Sequence, residues 1–345
     1  MAPLLLLLVL LMSAAAADAR ATALIVFGDS TVDAGNNNAV ATLARSNFPP
    51  YGRDFPGGRA TGRFCNGRLA TDFYSEALGL GRAFVPAYLD PAYGIQDFTI
   101  GVCFASAGSG LDVATSDVFH VIPMWKQMDM FREYKTRLAA HLGAAEAEAV
   151  VSGAVYAISI GTNDFLENYF ALASARPLQF TVPQYTAYLV GLARGFLSEL
   201  HALGARKIGF AGIGPMGCLP IERARLLGLG CDETHNAAAR AFNAALKDMV
   251  AQLNRELPGA DVRVAEVYDL FGDVVREPAR YGFARADVGC CGTGTYEMGY
   301  ACSPWDPRTC TDASKYVFWD AVHTTEHANR IVAEYLMNTT FGAFS

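Results

Sequence analysis

Ala23-Leu-Ile-Val-Phe27, followed by Gly28-Asp-Ser-Thr31, is a short apolar run that ends in a glycine, an acid and two hydroxyl residues. Such a run is too short for a helix and too apolar for an exposed strand, so 24–27 is predicted to be a buried strand. Similar runs recur at 98–104, 155–160, 207–211 and 262–267. Helical patterns separate or follow them at 69–78, 124–142, 185–203, 234–257 and 326–337. This alternation predicts an α/β fold with a mostly parallel five-stranded sheet covered by helices on both faces.

Polar segments follow three of these strands where each strand ends. Ser30 follows the first, 105–110 follows the second and 161–164 follows the third. Ligands in open α/β sheets bind at the carboxyl ends of the strands. We therefore expect these segments to converge on one rim of the sheet, together with a loop that precedes the last helix.

A serine, a histidine and an aspartate are present in positions that suit acyl transfer. Ser30 is the candidate nucleophile, and Asp320 and His323 lie three residues apart near the end of the chain. A serine hydroxyl attacks a carbonyl only when an imidazole takes its proton and a carboxylate orients that imidazole. We assign His323 as the base and Asp320 as the group that orients it.

Acyl transfer also needs hydrogen-bond donors for the oxyanion that forms on the carbonyl. Gly108 lies in a glycine-rich turn, where the absence of a side chain lets the backbone N–H approach a ligand. Asn163 adds a side-chain amide, and the backbone N–H of Ser30 is the third candidate donor. We predict an oxyanion hole formed by Ser30, Gly108 and Asn163.

Nine short motifs, spread over nearly the whole chain, together resemble the plant GDSL esterase/lipase family of SGNH hydrolases. The resemblance implies a flavodoxin-like three-layer α/β/α fold, no metal or other cofactor, and the same roles for Ser30, Asp320, His323, Gly108 and Asn163. The motifs are Phe27-Gly-Asp-Ser30, Gly35-Asn-Asn-Asn38, Pro50-Tyr-Gly52, Gly62-Arg-Phe-Cys-Asn-Gly-Arg68, Phe104-Ala-Ser-Ala-Gly108, Ile160-Gly-Thr-Asn-Asp164, Gly214-Pro-Met-Gly-Cys-Leu-Pro220, Cys290-Cys-Gly292 and Phe318-Trp-Asp-Ala-Val-His323.

The sequence departs from the family pattern at three places. Thr31 stands where the motif name has leucine, and Ser109 occupies a variable position after Gly108. Thr324 replaces the proline that usually follows the histidine. Only Thr324 bears on the site, because it removes a rigid residue beside His323.

The amino terminus and the cysteines of the chain indicate a protein of the secretory pathway, secreted to the extracellular space or cell wall, with the endoplasmic reticulum as the alternative. Residues 1–19 have the pattern of a signal peptide, with an apolar run too short to span a bilayer and an Ala-x-Ala site before Arg20. We expect a single domain over residues 20–345. Eight cysteines suit an oxidising compartment, and 105 pairings are possible. Cys218 with Cys231, and one of Cys290 and Cys291 with Cys302 or Cys310, are the pairs suggested by position, whereas Cys103 is expected to be a buried thiol.

Composition also bears on partners. The net charge is −7 and no basic stripe is present, which argues against nucleic acid or an anionic membrane as partner. No transmembrane segment is predicted, a monomer is expected, and Asn338-Thr-Thr is a glycosylation sequon. A metal site formed by Asp320, His323 and His327 is the weaker alternative, because no fourth ligand follows a recognisable pattern.

The predicted function is hydrolysis of acyl esters by an acyl-enzyme mechanism, with a small-molecule or lipid ester as substrate. Three alternatives stay open: deacetylation of a cell-wall polysaccharide such as xylan, acyl transfer to an alcohol, and a non-catalytic binding role. For the pocket we expect apolar side chains that neighbour the predicted site: Phe64, Phe165, Leu166, Tyr169 and Phe170. The Met-rich segment 123–131 is expected to be core, and His235 is expected to face solvent or to cap a helix.

Overall fold

A computed structural model describes residues 21–344, and its central feature is a sheet of five parallel strands. The spatial order is β2-β1-β3-β4-β5, as in flavodoxin-like folds. The predicted parallel sheet is confirmed. The predicted signal peptide at 1–19 lies outside the described residues. The strands are β1 (Leu24–Gly28), β2 (Gly101–Cys103), β3 (Val155–Ser159), β4 (Lys207–Ala211) and β5 (Asp261–Ala265).

Helices cover both faces of this sheet, which confirms the three-layer arrangement. Apolar side chains of α3, α4, α6 and α8 form one core against the sheet, whereas α1 and α10 pack on the opposite face. The α-helices are α1 (Ala70–Ala77), α2 (Val113–Phe119), α3 (Met124–Leu142), α4 (Ala144–Gly153), α5 (Arg176–Gln179), α6 (Val182–Ala202), α7 (Pro220–Arg225), α8 (Glu233–Glu256), α9 (Tyr268–Arg276) and α10 (Glu326–Thr339).

The predicted strands and long helices agree with the structure except at some boundaries. The second strand was expected over 98–104, but Phe98 belongs to a 3-10 helix, Asp97–Thr99, and only Gly101–Cys103 pairs with β1. The last strand is Asp261–Ala265 instead of 262–267. The Met-rich segment is core as expected, because Met124, Met128, Met130 and Phe131 are buried on α3.

A second, two-stranded parallel sheet was not predicted. It consists of β6 (Arg285–Gly289) and β7 (Tyr316–Phe318) and leads directly into the turn that carries Asp320 and His323. Two disulfides, Cys290–Cys310 and Cys291–Cys302, tie the connection between these strands together.

A third disulfide, Cys218–Cys231, confirms the predicted pair. Cys103 is a buried free thiol, as expected, and Cys65 is another. Within residues 21–344, no helix is both long enough and apolar enough to span a bilayer.

Candidate active site

Ser30 lies immediately beyond the carboxyl end of β1. Gly28 ends the strand with a φ of 138°, and a side chain there would collide with the carbonyl oxygen of Ser159, 2.0 Å from an added Cβ. Glycine is therefore required for the chain to leave the sheet at this point. Asp29 then closes the turn, because its carboxylate accepts the backbone N–H of Thr31 at 3.0 Å and the Thr31 hydroxyl at 2.7 Å. Ser30 is 7% exposed.

Asp320 and His323 lie in one tight turn between β7 and α10. Asp320 Oδ1 accepts the backbone N–H groups of Val322 and His323 at 2.9 and 2.7 Å. The backbone N–H of Trp319 donates to the carbonyl of His323 at 2.7 Å and closes the turn. His323 Nδ1 lies 2.8 Å from Asp320 Oδ2, so the carboxylate holds the imidazole by the nitrogen that faces away from a substrate.

Buried aromatic residues enclose this pair. The hydroxyl of Tyr51 donates to Asp320 Oδ2 at 2.7 Å and accepts the backbone N–H of Gly299 at 2.8 Å. Burial and the adjacent Asp320 charge raise the pKa of Tyr51 well above its ordinary value, so the phenol stays a donor. The Phe64 ring lies 4.7 Å from the imidazole. These contacts fix both the carboxylate and the ring before any substrate arrives.

Ser30 and His323 line the same cavity, which has a volume of about 180 Å³. The predicted nucleophile and the predicted base therefore line one cavity, and Asp320 is paired with the predicted base. Thr324 lines the cavity as well, and its hydroxyl donates to Asn329 Oδ1 at 2.6 Å. This bond ties the loop after His323 to α10 in the absence of the family's proline.

Gly108 and Asn163 lie on neighbouring loops, beyond β2 and β3. Gly108 has a φ of 84°, in the left-handed region that favours glycine. The side-chain amide of Asn163 donates to the carbonyl oxygen of Ser109 at 2.9 Å, which joins the two loops. An amide has two N–H donors, and Ser109 takes one of them. Neither Gly108 nor Asn163 belongs to the lining of the cavity that Ser30 and His323 share.

A buried aspartate that the sequence analysis did not single out, Asp33, holds the loop that carries Gly108 in place. Asp33 accepts the backbone N–H groups of Gly35 and Asn36, each at 2.8 Å, and that of Ala107 at 3.0 Å. Burial raises the pKa of Asp33 to about 6, and it raises that of Asp29 to about 6 as well.

Asp164 was expected to have a structural role at its turn, and its contacts agree with one. It accepts the backbone N–H groups of Leu111 and Asp112 at 2.8 and 3.0 Å and the hydroxyl of Thr115 at 2.7 Å. Burial raises its pKa to about 7. Asp164 directly follows Asn163, so its carboxylate holds the segment after Gly108 close to Asn163.

The expectation for the cavity wall was wrong for four of five residues. Phe64 lines the cavity, but Phe165, Leu166, Tyr169 and Phe170 do not. Residues 164–169 form a π-helix that turns these side chains into the core on the α6 and α8 side, where Phe165 packs against Tyr185 with ring centroids 5.9 Å apart. The cavity lies on the opposite face of the sheet.

The expectation for His235 was also wrong, because topology supplies partners that the sequence does not place nearby. His235 is buried, with Nδ1 3.1 Å from Glu222 and its ring stacked on Phe170 at 4.1 Å. His327, from the alternative metal set, binds the carbonyl of Ser314 through Nδ1 at 2.8 Å. Among residues 21–344, no group of three or more His, Cys, Asp or Glu side chains could hold a metal ion.

The chain is similar in sequence to a known family of proteins. Residues 24–336 match the family model described as GDSL-like Lipase/Acylhydrolase. Similar proteins of Arabidopsis thaliana include GDSL esterase/lipase At2g42990, which is 52% identical over 97% of this chain and 96% of that protein. Another is GDSL esterase/lipase At2g04570, also 52% identical, over 93% of this chain and 92% of that protein. Among solved structures, an extracellular lipase of Streptomyces rimosus aligns over 93% of this chain and 100% of its own with 14% identity and a TM-score of 0.39.

Proposed function

Since this chain belongs to the GDSL-like lipase/acylhydrolase family, whose members are hydrolases of ester bonds, we propose that it cleaves carboxylic esters through a covalent acyl intermediate on Ser30. The observation that carries the proposal is the Asp320–His323 pair, joined at 2.8 Å, beside the cavity on which Ser30 also opens. A buried carboxylate that holds an imidazole next to a serine is the arrangement that serine esterases need.

In the first half of the reaction, His323 Nε2 takes the proton of the Ser30 hydroxyl as Oγ bonds to the ester carbonyl carbon. The carbonyl π electrons move to oxygen, and the oxyanion accepts hydrogen bonds from the backbone N–H groups of Ser30 and Gly108 and from the Asn163 amide. When the C–O bond to the alcohol breaks, the imidazolium returns the proton to the departing oxygen. Asp320 stays ionised and stabilises the imidazolium.

In the second half, a water molecule repeats the attack on the acyl-Ser30 ester. His323 takes one proton from the water and returns it to Ser30 Oγ as the carboxylic acid leaves. General-base action of this kind contributes roughly a hundredfold to ten-thousandfold in rate. An alcohol in place of the water would give the transfer reaction instead of hydrolysis.

Labelling with a fluorophosphonate tests this assignment directly, because the reagent bonds only to an activated serine. We expect the full-length wild-type protein to be labelled and to hydrolyse p-nitrophenyl esters. We expect Ser30→Ala to lose both properties. Ser152→Ala is the matched control, since Ser152 is a half-buried residue of α4 whose hydroxyl binds only within its own helix. A folded wild-type protein that is neither labelled nor active would disprove the proposal and favour a binding role.

We further propose that the protein is exported as a monomer after removal of residues 1–19. Three disulfides support export, because they form in oxidising compartments. N-terminal sequencing of the protein recovered from the medium of expressing plant cells should begin at Arg20. Recovery of an intact amino terminus from the cytosol would contradict this.

A further inference from the structure

The two faces of the central sheet carry side chains of very different size. Toward the core formed with α3, α6 and α8, strands β3 and β4 present large residues: Tyr156, Ile158, Ile208 and Phe210. Toward α1 and α10 the carboxyl-terminal parts of the same strands present small ones, Ala157, Ser159, Gly209 and Ala211, whereas Val155 and Lys207 occupy this face at the start of the strands. Small side chains on one face leave space between the sheet and the helices that cover it. That space is the cavity of about 180 Å³ to which Ser30 and His323 belong.

The cavity runs inward from the candidate site along α10. Asn329, Val332 and Leu336 line it and recur at the spacing of a single helical face. At a rise of 1.5 Å per residue, the seven steps from Asn329 to Leu336 correspond to roughly 10 Å. Ala157 also lines the cavity. It pairs with Val26, which lies four residues before Ser30, so this part of the cavity lies below the ends of the strands. The cavity therefore extends from Ser30 into the space between the sheet and α10.

Aromatic residues line the inner part of the cavity. Phe341 covers Gly209, where an added Cβ would lie 2.3 Å from its ring, and its ring centroid is 4.5 Å from that of Tyr74. Both rings belong to the lining. Gly209 pairs with Ala157 across β3 and β4, so these rings lie at the depth of Ala157, away from the strand ends. A group that enters beside Ser30 therefore meets an aromatic floor.

The chemistry of the lining favours an uncharged, apolar guest. In the described part of the chain, no Asp, Glu, Lys or Arg side chain contributes to the lining. Polar groups at the outer part bind one another: the Thr31 and Ser159 hydroxyls are 2.7 Å apart, and the Asn329 amide donates to the carbonyl of Arg68 at 3.0 Å. A sugar or a charged headgroup inside would lose its hydrogen bonds to water without replacement.

We propose that this cavity binds the acyl chain of the substrate, so that the protein is selective for esters of unbranched medium-length fatty acids over acetyl esters. This inference rests on the proposed function, because it takes Ser30 as the atom to which the acyl group is attached. The alcohol half of the ester then stays outside the cavity. Each methylene that the cavity removes from water contributes up to about fourfold in kcat/KM. An acetyl group leaves the inner part unfilled and gains none of this.

A pair of isomeric esters tests which half of the substrate enters. Ethyl octanoate and octyl acetate have the same atoms, and only the side of the ester that carries the long chain differs. We expect kcat/KM for ethyl octanoate to exceed that for octyl acetate and for ethyl acetate on the order of a hundredfold or more. Equal rates, faster cleavage of octyl acetate, or a preference for acetylated xylan would overturn the acyl-chain assignment while leaving esterase activity intact.

Two neighbouring positions of α10 provide a matched pair of variants. Val332→Phe places a ring in the cavity, whereas Ile331→Phe enlarges a residue that packs in a different cluster with Phe283 and Val317 and does not line the cavity. We expect the ethyl octanoate to ethyl acetate ratio to fall by roughly tenfold or more in Val332→Phe. It should be retained in Ile331→Phe. A ratio unchanged by Val332→Phe, in protein that melts as the wild type does, would contradict the proposal.

Binding separates failure of this inference from failure of the proposed function. In the Ser30→Ala background, ethyl octanoate binding is measured by calorimetry with and without Val332→Phe. Weaker binding in the double variant supports the cavity as the acyl site whether or not the protein turns over esters. Unchanged binding refutes the cavity assignment, and absence of fluorophosphonate labelling in the wild type refutes the esterase instead.

Discussion

Replacing Asp320 with asparagine tests the proposed role of this residue through a single atom. Asp320 Oδ1 accepts two backbone N–H groups, from Val322 and His323, and also lies 2.9 Å from His323 Nδ1. Oδ2 lies slightly closer to His323 Nδ1, at 2.8 Å, and accepts the Tyr51 hydroxyl at 2.7 Å. Asparagine keeps the first oxygen and so retains the turn. It replaces the second oxygen with an NH2 group, which donates.

The consequence is a change of tautomer. With an NH2 group in place of Oδ2, and with Oδ1 already accepting two backbone N–H groups, the neutral imidazole favours the tautomer that carries its proton on Nε2, the nitrogen that must accept the proton of Ser30. For a Ser-His-Asp constellation this exchange costs about 10⁴-fold in kcat, which corresponds to about 5.5 kcal/mol of transition-state stabilisation. We expect a loss of that size in kcat for p-nitrophenyl butyrate, with KM little changed because Asp320 touches no substrate.

Tyr51→Phe is the matched control, since it removes one hydrogen bond to the same oxygen but keeps the carboxylate and therefore the tautomer. A hydrogen bond to a charged group is worth about 1.5–3 kcal/mol. Only part of this free energy stabilises the transition state relative to the bound substrate, so we expect about a tenfold loss of kcat. Melting curves must show that both variants are folded. A loss in Asp320→Asn no greater than that in Tyr51→Phe would refute the assignment of Asp320 as the group that sets the tautomer.

Three further predictions concern the oxyanion hole, a buried ion pair and the effect of pH on stability. Asn163→Ala should lower kcat by about 10²–10³ with unchanged melting, and a loss below tenfold would exclude its amide from the oxyanion hole. Arg63 forms a two-pronged ion pair with Asp72, at 2.9 and 2.8 Å with both side chains buried. Arg63→Met should therefore cost about 3–5 kcal/mol in urea unfolding, whereas Arg285→Met, in an exposed pair with Asp287, should cost at most about 1 kcal/mol. Similar losses of unfolding free energy in the two variants would show that the Arg63 pair contributes no more to stability than a surface pair. Burial raises the folded-state pKa of Asp164 from 3.8 to about 7, so the folded state binds this proton more tightly than the unfolded state. The stability that this proton contributes is full below pH about 4 and is lost as pH rises through 7, so the free energy of unfolding should fall between pH 5 and 8. Asp164→Asn should flatten that slope, and an unchanged slope would contradict the assignment.

The sequence predicted the sheet well, because strands buried on both faces are short continuous apolar runs. Residues 207–211 were predicted with the bounds that the structure gives, and 124–142 was predicted in full as α3. The sequence also predicted that Ser30, Gly108 and Asn163 follow consecutive strands of a parallel sheet, and the structure places them there. Parallel strands present their carboxyl ends on one edge, whatever their separation along the chain.

What the sequence could not give depends on contacts between distant segments. The strand-like run 155–160 shows that its residues are apolar, but not that Ala157 faces a cavity while Tyr156 faces the core. The π-helix at 164–169 redirects Phe165 and Tyr169 into that core, and π-helices have no sequence signal as strong as a proline or a capping box. Likewise His235 meets Glu222 only because α7 and α8 are brought together.

The turn at 320–323 and the helix that follows it have a genetic consequence. The proposed base, the carboxylate that binds it and the α10 wall of the cavity all come from one short segment, residues 316–339. A truncation shortly before residue 316 would leave Ser30 and all five strands of the central sheet, yet remove all three at once. Late-truncating alleles of this gene should therefore behave as complete nulls, with a phenotype as severe as that of a whole-gene deletion.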